Sequence, residues 1–453
     1  MSNLSKNIHG QWSTRFAFIL AVSGSAVGLG NIWKFPYIAG MNGGGAFVLV
    51  YLLCILAIGM PILMSEILLG RMGQKNPIQT MRELGTAHAG NSSWSIIGSL
   101  GVFTGALILS YYSVIAGWAM NYAFLAINGS LSQVSVELAP AIFDGVVGSP
   151  LNVLFWHTLF MILTAYVVSK GLIRGIERSI RVLMPLLVVL LLILFIFSVI
   201  NGDAAAAFVF LFKFDFEALT SEGVLVALGH AFFTLSLGMG AVMAYGAYLP
   251  KDYSLSRIAA SIAFTDTAIA LIAGIIIFSV VFANGLDAGQ GPGLIFQTLP
   301  VAFSSLPFPS VIAFLFFILL VAAAWTSSIS LIEPGVAWMI EAFDWSRMRS
   351  TCVIAFSVWS IGLLSVFSFN SLSGFTFWHG TWFDNFDFLT ANLLLPFGGL
   401  LISIFAGWKL SSAISQVEIN TSYLSGFKVW RFLSRYVAPV GIAIIFLDGL
   451  GVI

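Results

Sequence analysis

Eleven runs of roughly twenty apolar residues follow one another along this chain, and two of them are interrupted midway by glycine. The runs lie near 14–39, 45–69, 95–127, 151–169, 180–200, 222–249, 258–284, 308–340, 351–368, 388–408 and 431–450. Each is long enough to cross a bilayer as a helix. Only 8% of the 453 residues are charged and 59% are hydrophobic, whereas soluble proteins carry about 25% charged residues. Lipid must therefore solvate most of the surface, which excludes a soluble multidomain protein. The links between runs are too short for independent domains and argue against regulatory appendages. The chain reads as one transmembrane domain over 1–453, all-α, with an odd number of spans that puts the termini on opposite sides.

Orientation follows from the basic residues, which concentrate on cytoplasmic loops. With a cytoplasmic N-terminus, all of the 19 Lys and Arg residues except Lys34 and Lys213 fall at the inner face. Shifting one span would scramble that separation. Lys6 and Arg15 followed by an apolar run imitate a secretory signal, but cleavage there would discard one of the two glycine breaks. Cys54 and Cys352 lie within runs and read as small apolar residues. A net charge of zero points to no nucleic-acid partner.

The breaks are Ser23-Gly24-Ser25-Ala26-Val27-Gly28-Leu29-Gly30-Asn31 in the first run and Phe233-Thr234-Leu235-Ser236-Leu237-Gly238-Met239-Gly240 in the sixth. Unwinding a helix at membrane depth frees backbone groups that no water can satisfy, at several kcal/mol each. Something polar must bind there. Interrupted spans in corresponding halves mark the substrate and ion site of a secondary transporter.

Charged side chains inside spans are rare and usually functional. Glu66, Asp266, Glu333, Glu341 and Lys34 are the candidates. Asp266 stands among Ala, Ile and Phe with no basic residue within two turns, so it is either a buried acid hydrogen-bonded to a neighbouring helix or a cation ligand. Thr326, Ser327, Ser328 and Ser330 form a hydroxyl cluster in the eighth run. Such hydroxyls serve as interhelical glue or, beside broken helices, as hard ligands for Na⁺. Tyr111 and Tyr112 read equally as packing or as a gate. Gly175 and Pro185, nine residues apart at the inner end of the fifth run, mark a kink or an end that unwinds cheaply.

Together these residues resemble a known family. The run Gly28-Leu29-Gly30-Asn31-Ile32-Trp33-Lys34-Phe35-Pro36-Tyr37, the following Asn42-Gly43-Gly44-Gly45-Ala46-Phe47, then Phe233-Thr234-Leu235-Ser236, Thr326-Ser327-Ser328 and the glycine–nine–proline spacing are similar to the signatures of the neurotransmitter:sodium symporters. The likeness is strongest to bacterial members with eleven spans that carry several hydrophobic amino acids. It implies the leucine-transporter fold, with spans 1–5 (about 12–200) and 6–10 (about 220–408) as inverted repeats, an extra helix at about 430–450, and a bacterial-type plasma membrane location.

By position, the resemblance implies one sodium held by Ala26, Asn31, Thr234, Asp266 and the substrate carboxylate, and a second held by Gly24, Val27, Ala323, Thr326 and Ser327. It implies a substrate whose backbone meets Ser25, Ala26, Gly28, Leu29, Gly30, Phe233, Thr234 and Ser327. Tyr112 would bond the carboxylate and close the pocket with Phe233, while Ile108, Ser236, Met239, Ser330 and Leu331 surround the side chain. Lys34 and Asp387 would form the outer charged gate. Glu341 takes an inner gate position, where His9 replaces the usual arginine partner and Lys6 is an alternative. Gly175 and Pro185 become the point where the fifth span unwinds.

Asp266 stands where chloride-dependent relatives have asparagine, Ala270 where they have serine, and His230 where they have glutamine. No chloride requirement is expected. Glycine at 28, where monoamine carriers have aspartate, leaves room for an α-carboxylate. The expectation is a symporter of hydrophobic L-amino acids with two sodium ions, no nucleic-acid contact and no obligate protein partner. An enzyme finds no catalytic dyad, metal cluster or phosphate loop at membrane depth. A sensor on this fold would need a signalling appendage, and a leak channel would not need the pocket.

Overall fold

In the computed structural model, residues 10–250, 253–288, 293–419 and 424–452 are described, and among them there is no strand beyond one isolated bridge, Phe377 to Gly380. Nine of the apolar runs form helices long and apolar enough to cross a membrane, from Gly45–Gly73 to Gly426–Gly449. The first run is a bent pair, Arg15–Ala26 and Gly30–Met41, turned by 49° at its break. The sixth is a pair of helices, Ser221–Thr234 and Ala241–Ala247, each too short to span alone. Nine helices, or ten counting the bent pair, are thus long and apolar enough to cross, and both interruptions expected from the sequence are present.

Burial sorts the spans. In the third (Ser92–Ile127) and eighth (Pro309–Phe343), 78% and 72% of the apolar window is inside the protein; in the eleventh it is 22%. The third and eighth pack along each other, and the first lies against the eighth. The fourth, fifth, ninth and eleventh turn apolar side chains such as Leu151, Val182, Phe356 and Val440 outward. An outer face of this kind is stable in hydrocarbon, where backbone groups are satisfied within each helix.

Both breaks are held by specific partners. Val27 is extended (φ −70°, ψ 102°), so the first span loses its ladder after Ala26. In the sixth span, Ser236, Gly238 and Gly240 all take positive φ, +55°, +79° and +73°. Glu66 of the second span, fully buried, accepts the Gly238 N–H and so satisfies a donor that the break exposes. A side chain at Gly238 would lie 2.6 Å from the Leu395 carbonyl oxygen. Glycine is required there both by conformation and by the close passage of the tenth span.

The links are more structured than their polarity suggests. Pro77–Ala89 is a helix capped by the Asn76 side chain, which accepts from the N–H groups of Ile78 and Gln79. Leu138–Val147, Ala204–Phe212 and Leu299–Ser304 are further short helices. The tenth span starts at Trp382, earlier than the apolar run, because Thr381 and Asp384 form a capping box.

Candidate functional site

The two breaks face each other across a small cavity, about 20 Å³ of free space, near the middle of the bundle. Its walls are Ser25, Ala26, Gly28, Leu29 and Gly30 from the first span, Ile108 and Tyr112 from the third, Phe233, Ser236 and Met239 from the sixth, and Ser327 and Leu331 from the eighth. No charged side chain is among them. Of the fourteen residues assigned to the substrate from the sequence, these are twelve. Ser330 sits behind the wall: it accepts from the Ser25 hydroxyl at 2.7 Å and donates to the Ser327 carbonyl at 2.8 Å, joining the first and eighth spans. Thr234 turns to the other side, toward Asp266.

Gly28 is the tightest point. A Cβ there would lie 2.5 Å from Ser327 Oγ and 2.7 Å from the Tyr112 hydroxyl. The same tyrosine oxygen accepts the Leu29 N–H at 3.1 Å, one of the donors released by the break. Ser236 Oγ donates to the Ser25 carbonyl at 2.8 Å and links the two breaks directly.

On one side of the cavity, Asn31, Thr234 and Asp266 form a buried oxygen-rich cluster. Asn31 Nδ2 donates to Asp266 Oδ1 at 2.7 Å and to Thr234 Oγ1 at 3.0 Å, and Thr234 Oγ1 donates to Asp266 Oδ2 at 2.9 Å. Asp266 is fully buried, and no basic side chain among the described residues pairs with it. A buried carboxylate without a positive partner is a strong cation ligand, because isolating its charge in low dielectric is costly. On the opposite side, Ser327 Oγ lies 3.4, 3.2 and 3.3 Å from the carbonyl oxygens of Gly24, Ser25 and Val27. Thr326 Oγ1 is 2.9 Å from the Ala323 carbonyl. Hydroxyl and carbonyl oxygens of this kind suit a hard monovalent cation. Met184, next to Pro185 in the fifth span, closes this group from below: a Cβ at Gly24 would lie 3.0 Å from its sulfur.

Outside the cavity, Phe233 and Tyr112 also line a larger aromatic vestibule with Trp33, Tyr37, Trp118 and Phe388. They are the partition between the two spaces. Lys34 Nζ lies 3.2 Å from Asp387 Oδ1 and 4.6 Å from the Phe233 ring centre, so the ion pair rests on the aromatic partition. Tyr111 donates to the same carboxylate at 3.2 Å.

The opposite end is closed by contacts that sequence reasoning did not assign. Trp12 donates its indole N–H to the Tyr245 carbonyl at 3.0 Å and packs edge-on against that ring at 5.2 Å. Ser13 bonds Glu177 through both N–H and hydroxyl, and Arg181 bridges the two, 2.6 Å from Glu177 and 2.5 Å from Ser13. Buried Glu333 pairs with Arg347 and accepts from the Tyr248 hydroxyl at 3.0 Å. Glu333 was visible as an intramembrane acid, but its partner lies on the next helix, beyond any spacing rule. Glu341 accepts from the Asn76 N–H and amide at 2.8 and 2.7 Å; Lys6 and His9, its suggested partners, lie outside the described residues. Gly175 sits in a π-helical turn, Leu172–Glu177, and Pro185 inside the helix that follows, so this end is helical but wider than an α-helix.

A midplane cavity between two broken helices, with oxygen clusters on both flanks and an aromatic partition above, defines a secondary transporter of the broken-helix class. The chain belongs to the sodium:neurotransmitter symporter family, whose profile matches residues 9–137 and 147–452. It is a sodium-dependent, multi-pass membrane transporter and not an enzyme. It is 37% identical over 446 residues, 98% of each chain, to the uncharacterized sodium-dependent transporter YhdH of Bacillus subtilis (strain 168). To an uncharacterized sodium-dependent transporter of Haemophilus influenzae it is 32% identical, over 97% of this chain and 98% of that one. The crystal structure of MhsT in complex with L-phenylalanine superposes with a TM-score of 0.90 at 44% identity, covering 97% of this chain and 99% of that chain. This is the leucine-transporter fold that the signature residues implied.

Proposed function

We propose that the protein imports hydrophobic L-amino acids, aliphatic and aromatic, in symport with two sodium ions and without chloride. The observation that carries this reading is the uncharged cavity whose polar atoms come from the broken helices, Tyr112 and Ser327, and whose remaining wall includes Ile108, Met239 and Leu331. Such a wall favours an apolar side chain, while main-chain donors and the Tyr112 hydroxyl suit an α-carboxylate. The likeness to MhsT, crystallised with L-phenylalanine, supports the same substrate class.

The first sodium would take Ala26, Asn31, Thr234, Asp266 and the substrate carboxylate; the second, Gly24, Val27, Ala323, Thr326 and Ser327. A ligand shared between ion and substrate ties their affinities together by linkage. Asp266 would supply the negative charge that chloride supplies elsewhere. Ala270 brings no hydroxyl, and both ring nitrogens of His230 lack a hydrogen-bond partner. Two sodium ions crossing about 100 mV and a tenfold gradient provide about 7 kcal/mol, about 2.3 plus 1.4 for each, or about 10⁵-fold accumulation of a zwitterion.

In the cycle we propose, substrate and ions enter through the vestibule while Lys34 and Asp387 are apart. Phe233 and Tyr112 then close above them. Release of the Trp12 and Ser13 contacts, with unwinding near Gly175 and Pro185, opens the second ion site to the cytoplasm through the space beside Met184. The chain acts as one transport domain with its N-terminus cytoplasmic and its C-terminus outside, in a plasma membrane of bacterial type. The test is uptake and counterflow of radiolabelled amino acid in proteoliposomes. Saturable flux driven by inward sodium, abolished by Asp266→Ala and unchanged when gluconate replaces chloride, is expected. Sodium-insensitive flux would refute symport, and dependence on chloride would refute the ion assignment.

A further inference from the structure

The inner ends of the last two spans gather four cations, and among the described residues none of them pairs with a carboxylate. Lys409 closes the tenth span, and Lys428, Arg431 and Arg435 lie on the eleventh. Arg431 and Arg435 stand four residues apart on one helix, a spacing at which like charges repel. Arg431 is partly occupied, donating to the Leu410 carbonyl at 2.8 Å and to Ser415 Oγ at 3.3 Å. Arg435 is not. Its guanidinium lies 4.1 Å from the Trp408 ring centre and 5.6 Å from that of Tyr436, and its buried Nε, like that of Arg431, has no hydrogen-bond partner among the described residues. Glu418, the carboxylate of the intervening helix, turns away to Arg71 at 3.4 Å.

The arrangement is rigid. The Trp408 indole N–H donates to the Arg435 carbonyl at 3.0 Å, and Ser403 Oγ donates to the Ser434 carbonyl at 2.6 Å. Gly407 lets the two backbones meet; a Cβ there would lie 3.0 Å from the Arg435 Cα. Snorkelling alone accounts for a cation at a helix end. It does not account for an arginine laid over the Trp408 ring, with a buried donor unmet, beside a second arginine. Trp408, Tyr436, Phe432 and Val429 are about half exposed at the same place, which is the aromatic and apolar border of a membrane interface.

We propose that this corner binds the phosphodiester headgroup of an anionic phospholipid. The phosphate oxygens accept from Arg435, Lys409 and Lys428 supply further positive charge, and the rings of Trp408 and Tyr436 sit at headgroup level. The acyl chains run along Phe432 and Val440, both exposed on the eleventh span. A lipid is favoured over a soluble anion because the cations and the exposed apolar side chains are contiguous on one helix.

The test uses purified full-length protein in a neutral detergent, titrated by microscale thermophoresis with dioctanoyl phosphatidylglycerol, dioctanoyl phosphatidylcholine and inorganic phosphate. The glycerol lipid should bind about tenfold or more tighter than the choline lipid. Arg435→Gln should cut that preference by about fivefold, and the double variant Lys409→Gln/Lys428→Gln should abolish it. Arg82→Gln, the same charge change on an exposed helix elsewhere, should leave it intact. If Arg435→Gln does not fold, the lysine variant alone decides. Equal binding of both lipids, retention of the preference in the variants, or competition by inorganic phosphate at the same concentration as the lipid would each overturn the proposal.

Discussion

Gly28→Ala is the smallest change that tests where the substrate sits. The new methyl carbon would lie 2.5 Å from Ser327 Oγ and 2.7 Å from the Tyr112 hydroxyl, with Ser327 Cβ at 3.3 Å. Neither oxygen can remain where it is. Moving Tyr112 breaks its bond with the Leu29 N–H, leaving a buried donor unmet at about 1–3 kcal/mol. Turning Ser327 takes its hydroxyl from the carbonyls of Gly24, Ser25 and Val27. Overpacking a well-filled interior adds about 1–3 kcal/mol where it is not relieved. A net loss of about 2–3 kcal/mol at the site corresponds to roughly 30–150-fold in dissociation constant. The assay is sodium-dependent binding of tritiated phenylalanine to the purified protein, with thermal unfolding measured alongside. Because the clash is local, the unfolding temperature without amino acid should change by a few degrees at most. A dissociation constant within threefold of the parent protein, in a variant that remains folded, would show that the cavity beside Gly28 does not hold the amino acid.

Two further perturbations probe the wall and the inner closure. Met239→Phe replaces a flexible thioether in the cavity wall by a rigid ring; competition against labelled phenylalanine should show tryptophan affinity falling about tenfold while valine changes less than threefold, and equal effects would refute a side-chain role for this wall. Glu177→Gln removes the charge that holds Ser13 and Arg181; hydrogen exchange of the amides of residues 12–15 should accelerate about 5–150-fold, taking about 1–3 kcal/mol for a charged hydrogen bond, and unchanged exchange would show that this contact does not restrain the N-terminal segment.

Much of the site was legible because its signals are local. The breaks show as glycines within apolar runs, Asp266 as an acid with no nearby base, and the hydroxyls of Thr326 and Ser327 as neighbours on one helix. The signature residues then assign these pieces to one cavity, and twelve of the proposed lining residues meet there. What escaped were the contacts between distant elements that lie outside the signature positions. Glu66 was a lone acid until the second span was seen to satisfy the Gly238 N–H. Trp12 and Ser13 carried no signal, since their partners Tyr245 and Glu177 are separated from them by 233 and 164 residues. The helices at Pro77–Ala89 and Leu138–Val147 lie in links that hold no apolar run of membrane length, so they carried no such signal.

Taken alone, the amino-acid order determined that this is a membrane bundle and which two helices must open. Those follow from solvation: lipid tolerates neither stray charge nor unmet backbone groups, and both demands are written residue by residue. Tertiary structure alone decided how the openings are stabilised and sealed. Ser330 became a brace between the first and eighth spans, Glu66 a cap, and Arg435 an arginine laid over the Trp408 ring. Such roles depend on which side chains arrive opposite one another, and that is settled only when the helices pack.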